Sequence, residues 1–188
     1  MSKILVDTID TRSGTSNITI GSSNASQITL KSGATLTNFP ANTPAFEARL
    51  NSAQSIGDAV DTKIQYNNEI FDTDNCYDNS TNYRFTPTVA GKYFVYGYAY
   101  LDSQASSNFD QGRLYIFKNG SNYTQCANNM GGNFPEAMTI HVQSNIDFNG
   151  TTDYVELYAW LNDTSGTPII RGDSNNRFAT FGAYRIIE

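Results

Sequence analysis

Short apolar runs broken by turn residues dominate the chain from residue 45 onward, and this rhythm constrains the fold more than any other feature. Residues 45–50, 63–66, 69–71, 83–86, 92–101, 113–118, 138–148, 154–161 and 178–187 read as strands. Between them stand turn signals such as Asn79-Ser80-Thr81, Ala90-Gly91, Asn119-Gly120, Asn149-Gly150 and Ser165-Gly166. No stretch sustains a 3.6-residue period, so a βαβ fold is excluded and an all-β sandwich or jelly roll is expected. Composition agrees: 12 Tyr and 11 Phe stand against only 16% charged residues, a balance that suits pleated, half-buried surfaces.

The run over residues 92–101 is apolar or amphipathic on both faces. Phe94, Tyr96, Tyr98 and Tyr100 alternate with Tyr93, Val95, Gly97 and Ala99. In the last run Phe178, Gly182, Tyr184 and Ile186 oppose Ala179, Phe181, Ala183 and Ile187. An antiparallel strand at the surface of a lone sandwich normally turns one polar face to water, so a strand covered twice points to a second subunit. Phe94, Tyr96, Tyr98 and Tyr184 are therefore the candidate residues of a subunit interface. The alternative is that the tyrosine hydroxyls let this face tolerate solvent.

Residues 1–40 have a different character, with no Tyr, Trp or Cys and with abundant Ser, Thr, Asn and Gly. Ile18-Thr19-Ile20-Gly21 and Ile28-Thr29-Leu30-Lys31 form an imperfect strand-and-turn repeat. One copy cannot bury its Ile and Leu side chains alone, so the segment is either disordered in isolation or a stalk or docking arm that closes its core between chains. The alternation favours the arm. Pro40 and Pro44 then frame a hinge over residues 41–44, followed by a head over residues 45–188.

Charge narrows the function classes. The net charge is −6 over 188 residues, and the 12 basic residues are scattered singly, so nucleic-acid binding by a basic stripe is not expected. The opening Met-Ser-Lys-Ile-Leu-Val-Asp offers too short an apolar run for a signal peptide or a membrane span, and synthesis in the cytoplasm without membrane insertion is expected. Cys76 and Cys126 lack CxxC spacing and are expected as free, buried thiols.

Catalytic groups are sparse. His141 is the sole histidine and lies in a strand-like run; no Gly-X-Ser-X-Gly elbow accompanies it, and the supply of zinc ligands is poor. Glu136, Asp153 and Glu156 are the carboxylates a glycosidase would draw on. Asp72, Asp74 and Asp78 with Asn75 and Asn79 make an oxygen-rich loop of the kind that holds Ca²⁺, though acidic turn residues also serve simply to solvate a loop. No other cofactor is expected. The connections 103–111, 123–135 and 162–176 are long and amide-rich, with Phe109, Tyr123, Asn129 and Phe134 as candidate ligand-loop residues; they suit sugar or protein recognition or are ordinary loops.

Two resemblances sharpen these expectations. Ala45-Phe46-Glu47-Ala48-Arg49, Tyr83-Arg84-Phe85-Thr86-Pro87-Thr88-Val89-Ala90-Gly91-Lys92-Tyr93-Phe94-Val95, Leu114-Tyr115-Ile116-Phe117-Lys118-Asn119-Gly120 and Phe181-Gly182-Ala183-Tyr184-Arg185-Ile186 resemble, in order and spacing, the strands of C1q-type globular heads. The resemblance covers roughly residues 45–188 and implies a jelly roll like that of tumour necrosis factor, assembled as a trimer about a threefold axis, with partners bound at exposed loops. The segment Met1 to Gly14, with Gly14-Thr15-Ser16-Asn17-Ile18-Thr19-Ile20, resembles the start of small structural proteins of marine tailed bacteriophages. Together they imply a homotrimeric, non-enzymatic virion surface protein, a head or tail fibre or decoration protein. Residues 1–40 would then dock on other virion proteins, and the head would serve stability or adhesion to a host surface glycan or protein. A carbohydrate-binding or depolymerising adhesin module is the alternative.

Overall fold

The computed structural model describes residue 32, residues 42–105 and residues 107–186, so all of the expected N-terminal arm but residue 32, and residue 41 of its hinge, lie outside the described residues. Among these residues the structure is all strand and turn. The strands are β1 (Ala45–Arg49), β2 (Gln54–Ser55), β3 (Thr62–Lys63), β4 (Asn68–Asp72), β5 (Tyr77–Asp78), β6 (Arg84–Phe85), β7 (Gly91–Asp102), β8 (Phe109–Lys118), β9 (Ser121–Asn129), β10 (Ala137–Phe148), β11 (Val155–Asp163), β12 (Ile169–Ile170) and β13 (Ala179–Arg185).

They form two antiparallel sheets. In the first, β7 pairs with β10 along one side and with β13 and then β12 along the other; β13 continues to β1 and β4, and β12 to β2. The second runs β5-β6-β11-β8-β9, with β3 also on β11. The core between them follows from the two-residue period of a strand. Tyr93, Val95, Ala99 and Leu101 of β7 face Leu114, Ile116, Leu157 and Leu161 of β8 and β11, all fully buried. Phe46 stacks between Tyr77 and Phe85 with ring centroids 4.5 Å away on each side, and Phe181 meets it edge-on at 4.9 Å. A Cβ at Gly97 would run into Leu157, so the glycine lets the sheets close at this point.

Asn119 (φ 52°) and Gly120 (φ 78°) form the two-residue hairpin between β8 and β9, the left-handed pair that Asn-Gly adopts readily. That hairpin corrects one expectation: residues 123–129 of the expected loop are strand, because β9 runs through Asn129 on the edge of the second sheet, and 130–135 remain as the connection. The connection 162–176 is likewise interrupted by β12. Cys76 and Cys126 are free, as expected, but only Cys76 is buried; Cys126 sits half-buried on the edge strand.

Candidate functional site

Period-two alternation leaves the outer side of each sheet to be explained, and the two outer faces differ. On the first sheet the register sets Gln143, Tyr96 and Gly182 in one row, His141, Tyr98 and Thr180 in the next, and Asn145, Phe94 and Tyr184 in a third. All four interface candidates, Phe94, Tyr96, Tyr98 and Tyr184, are thereby gathered on one surface. Phe94 packs on Tyr96 at 6.0 Å and on Tyr184 at 5.6 Å, and Tyr98 lies 5.2 Å from the His141 ring. A shallow depression of about 330 Å³ runs between these rings. Tyr184 is 40% exposed although it belongs to a central strand.

The rings are fixed from below. A Cβ at Gly182 would occupy the space of the Tyr96 ring, which therefore lies down across the glycine. Its hydroxyl donates to Glu47 Oε2 at 3.0 Å, and Glu47 is held by Arg177 at 2.7 Å. Burial, and then the adjacent Glu47 carboxylate, push the Tyr96 phenol well above its ordinary value, so it stays a neutral donor. The Tyr98 hydroxyl donates to the Arg177 carbonyl at 3.1 Å and accepts from Thr180 at 3.0 Å. Exposed polar residues of β10 on one side and the Glu47–Arg177 pair on the other enclose this aromatic centre, the arrangement of apolar middle and polar rim found at subunit interfaces.

The outer face of the second sheet is as aromatic but is already covered. Arg113 lies over Trp160 at 4.4 Å, Arg84 over Tyr154 at 4.4 Å and Lys63 over Tyr158 at 5.8 Å. Lys63 also bonds Glu156 at 2.5 Å and donates to the Asn82 carbonyl at 3.2 Å. Tyr115 on this face is only 4% exposed. Sequence reasoning passed over this surface, although Arg113, Tyr115 and Phe117, and likewise Tyr158 and Trp160, alternate in the same period that exposed the β7 stripe.

The remaining candidates scatter. Phe109, expected in a ligand loop, is fully buried at the start of β8; its ring fills the space beside Gly112, and the candidate is withdrawn. Tyr123 is 49% exposed but stands on β9 at the irregularity in its pairing with β8, rather than in a loop. Asn129 ends that strand and accepts from the Gly131 amide at 3.0 Å, while Phe134 is half-buried in the following turn. The acidic loop does not converge on a metal. Asp72 accepts the Tyr77 amide at 2.7 Å, Asp74 the Thr73 hydroxyl, and Asp78 the amides of Ser80, Thr81 and Asn82. Among the described residues no group of three or more His, Cys, Asp or Glu side chains is placed to hold a metal ion. His141 is exposed on β10. Asp153 pairs with Lys118 at 3.1 Å, while Glu156 pairs with Lys63 at 2.5 Å.

No family model matches the sequence, and no curated protein matches it. Solved structures do match in fold. The globular domain of zebrafish complement 1qA protein superposes with a TM-score of 0.54 at 12% identity, over 78% of this chain and 99% of its own. The Eiger TNF of S. frugiperda gives 0.55 at 12% identity, over 77% and 92%. Murine APRIL gives 0.54 at 7%, over 76% and 98%. The chain from β1 to β13 therefore has the jelly-roll fold shared by C1q and tumour necrosis factor domains.

Proposed function

We propose that this protein is a non-enzymatic structural component of a bacteriophage virion surface, a head or tail fibre or decoration protein that assembles as a homotrimer through the outer face of its first sheet. The observation that carries the assembly is the bare aromatic face of Phe94, Tyr96, Tyr98 and Tyr184, set beside an opposite face whose rings are already covered by Arg113, Lys63 and Arg84. Tyr184 on the first face is 40% exposed, whereas Tyr115 on the second is 4% exposed, so association through the first face would bury further aromatic area. The C1q- and TNF-like fold supports a threefold arrangement, and the resemblance of residues 1–14 to phage structural proteins supports the virion. In this reading residues 1–40 dock on the particle, and the head is displayed outward for stability or host adhesion, three copies raising avidity through effective concentration. Absolute mass in solution, by light scattering on the full chain, tests the assembly: three times 20.7 kDa is expected, and a monomer at micromolar concentration would remove the interface. Immunogold labelling of phage particles tests the location; unlabelled virions would remove the virion assignment.

A further inference from the structure

The second sheet carries a polar cleft away from the aromatic face. It has a volume of about 480 Å³, with Cys76 and Tyr77 as its buried floor and Asn75, Asn79, Arg84 and Thr86 around its walls. The groups on those walls fall into two sets. Asp78 is fully engaged: its two oxygens take the amides of Ser80, Thr81 and Asn82 and the Asn82 side chain at 2.7–3.1 Å. The amides of Asn75 and Asn79, the hydroxyl of Thr86 and the guanidinium of Arg84 have no hydrogen-bond partner among the described residues; Arg84 is only stacked, 4.4 Å over the Tyr154 ring.

The walls are also pre-set. Asn75 (φ 54°), on the cleft wall, and Tyr83 (φ 51°), between the wall residues Asn82 and Arg84 in the chain, both adopt left-handed backbone, an uncommon conformation for an asparagine and a rare one for an aromatic residue. The Asp78 turn fixes the lip between them. The backbone that carries these groups is thereby set before a ligand arrives.

We propose that this cleft binds a carboxylate-bearing sugar unit of a surface glycan. One guanidinium with all its donors free matches one planar carboxylate, and its stacking on Tyr154 holds the fork in place. Side-chain amides and a hydroxyl both donate and accept, which is what a ring of sugar hydroxyls requires. The inference supplies the adhesive part of the proposed function with a site and a ligand class, yet it can fail while the assembly stands.

The test uses the full-length chain and titrates a galacturonic acid tetramer and a neutral galactose tetramer, followed by calorimetry and by the amide resonances of residues 75–86. Saturable binding of the acidic tetramer, at least tenfold tighter than the neutral one, is expected, with shifts confined to the cleft. Arg84→Gln should weaken it tenfold or more. Asn75→Gly, which keeps the left-handed backbone and removes only the amide, should weaken it several-fold with the melting temperature unchanged, so that loss of fold is not mistaken for loss of binding. Equal affinity for the two tetramers, equal affinity of acetate and the acidic tetramer, undiminished binding by both variants, or shifts elsewhere than the cleft would each overturn the assignment. Light scattering on the same samples reports the oligomer separately.

Discussion

Three aspartates show how the same side chain acts in opposite senses. Asp78 is held below the usual carboxylate range, chiefly by the Thr81 amide and then by those of Ser80 and Asn82. Its ionised form is favoured by folding, so its contribution is present above the unfolded value near pH 4 and is lost as pH falls through that region and below. Asp78→Ala is expected to cost about 1–2 kcal/mol at pH 7. The gap to the parent should shrink at pH 2.5, as read by urea unfolding; a gap independent of pH would show that the turn, not the charge, matters. Asp153 is lowered in the same sense, first by the Asn119 amide and then by Lys118. Asp163 runs the other way. Burial and then the Asp58 carboxylate raise it, and its Oδ2 is buried without a partner. The fold therefore favours its protonated form, a contribution present at acid pH and lost as pH rises, so the ionised group weakens the protein at neutrality. Asp163→Asn is expected to raise stability at pH 7 by less than about 1 kcal/mol, because the site is partly solvated, and to change nothing at pH 3. A lower melting temperature at pH 7 would refute that reading.

Among the elements, β3 adds a charge pair to its short backbone ladder with β11. Glu156 is 4% exposed, and Lys63 supplies its partner, so Lys63→Met would leave a buried carboxylate unpaired. A loss of about 3–5 kcal/mol is expected in chemical denaturation, against a small change for Lys63→Arg. How far such elements could be read in advance depends on what specifies them. The long strands β7, β10, β11 and β13 were legible because burial imposes a strict period on Tyr93, Val95 and Leu101, or on Ile140, Val142, Ile146 and Phe148. β9 was not, since Ser121-Asn122-Tyr123-Thr124-Gln125-Cys126-Ala127-Asn128-Asn129 has no apolar stripe; it is a strand only because the Asn119-Gly120 turn delivers it to the edge of β8. The two-residue strands β2, β5 and β12 are likewise defined by their partners and not by their own sequence. The aromatic face of β7 was found by alternation alone, whereas the polar cleft was hidden, because the idle state of Arg84 and the full engagement of Asp78 depend on contacts that no local pattern encodes.

For the molecule as a whole, the proposed assembly turns on whether the aromatic face of the first sheet is a finished surface or half of a contact. Tyrosine can end at water through its hydroxyl, and Tyr96 and Tyr98 each use theirs inside the chain, on Glu47 and on the Arg177 carbonyl. Substituting either would disturb the fold as well as any contact. Tyr184 separates the two effects: it is 40% exposed, and its recorded contact on this face is with the Phe94 ring, 5.6 Å away. Tyr184→Asp should leave the monomer's strands intact while placing a charge in the face that the proposed assembly would dehydrate. Three times 20.7 kDa should fall to the monomer mass, with far-ultraviolet circular dichroism unchanged. The parent's melting temperature should climb with protein concentration and the variant's should not, since only an associating species gains stability by mass action. A variant that keeps the trimer mass would place the contact elsewhere on the jelly roll and leave the β7 rings as a solvent-tolerant surface.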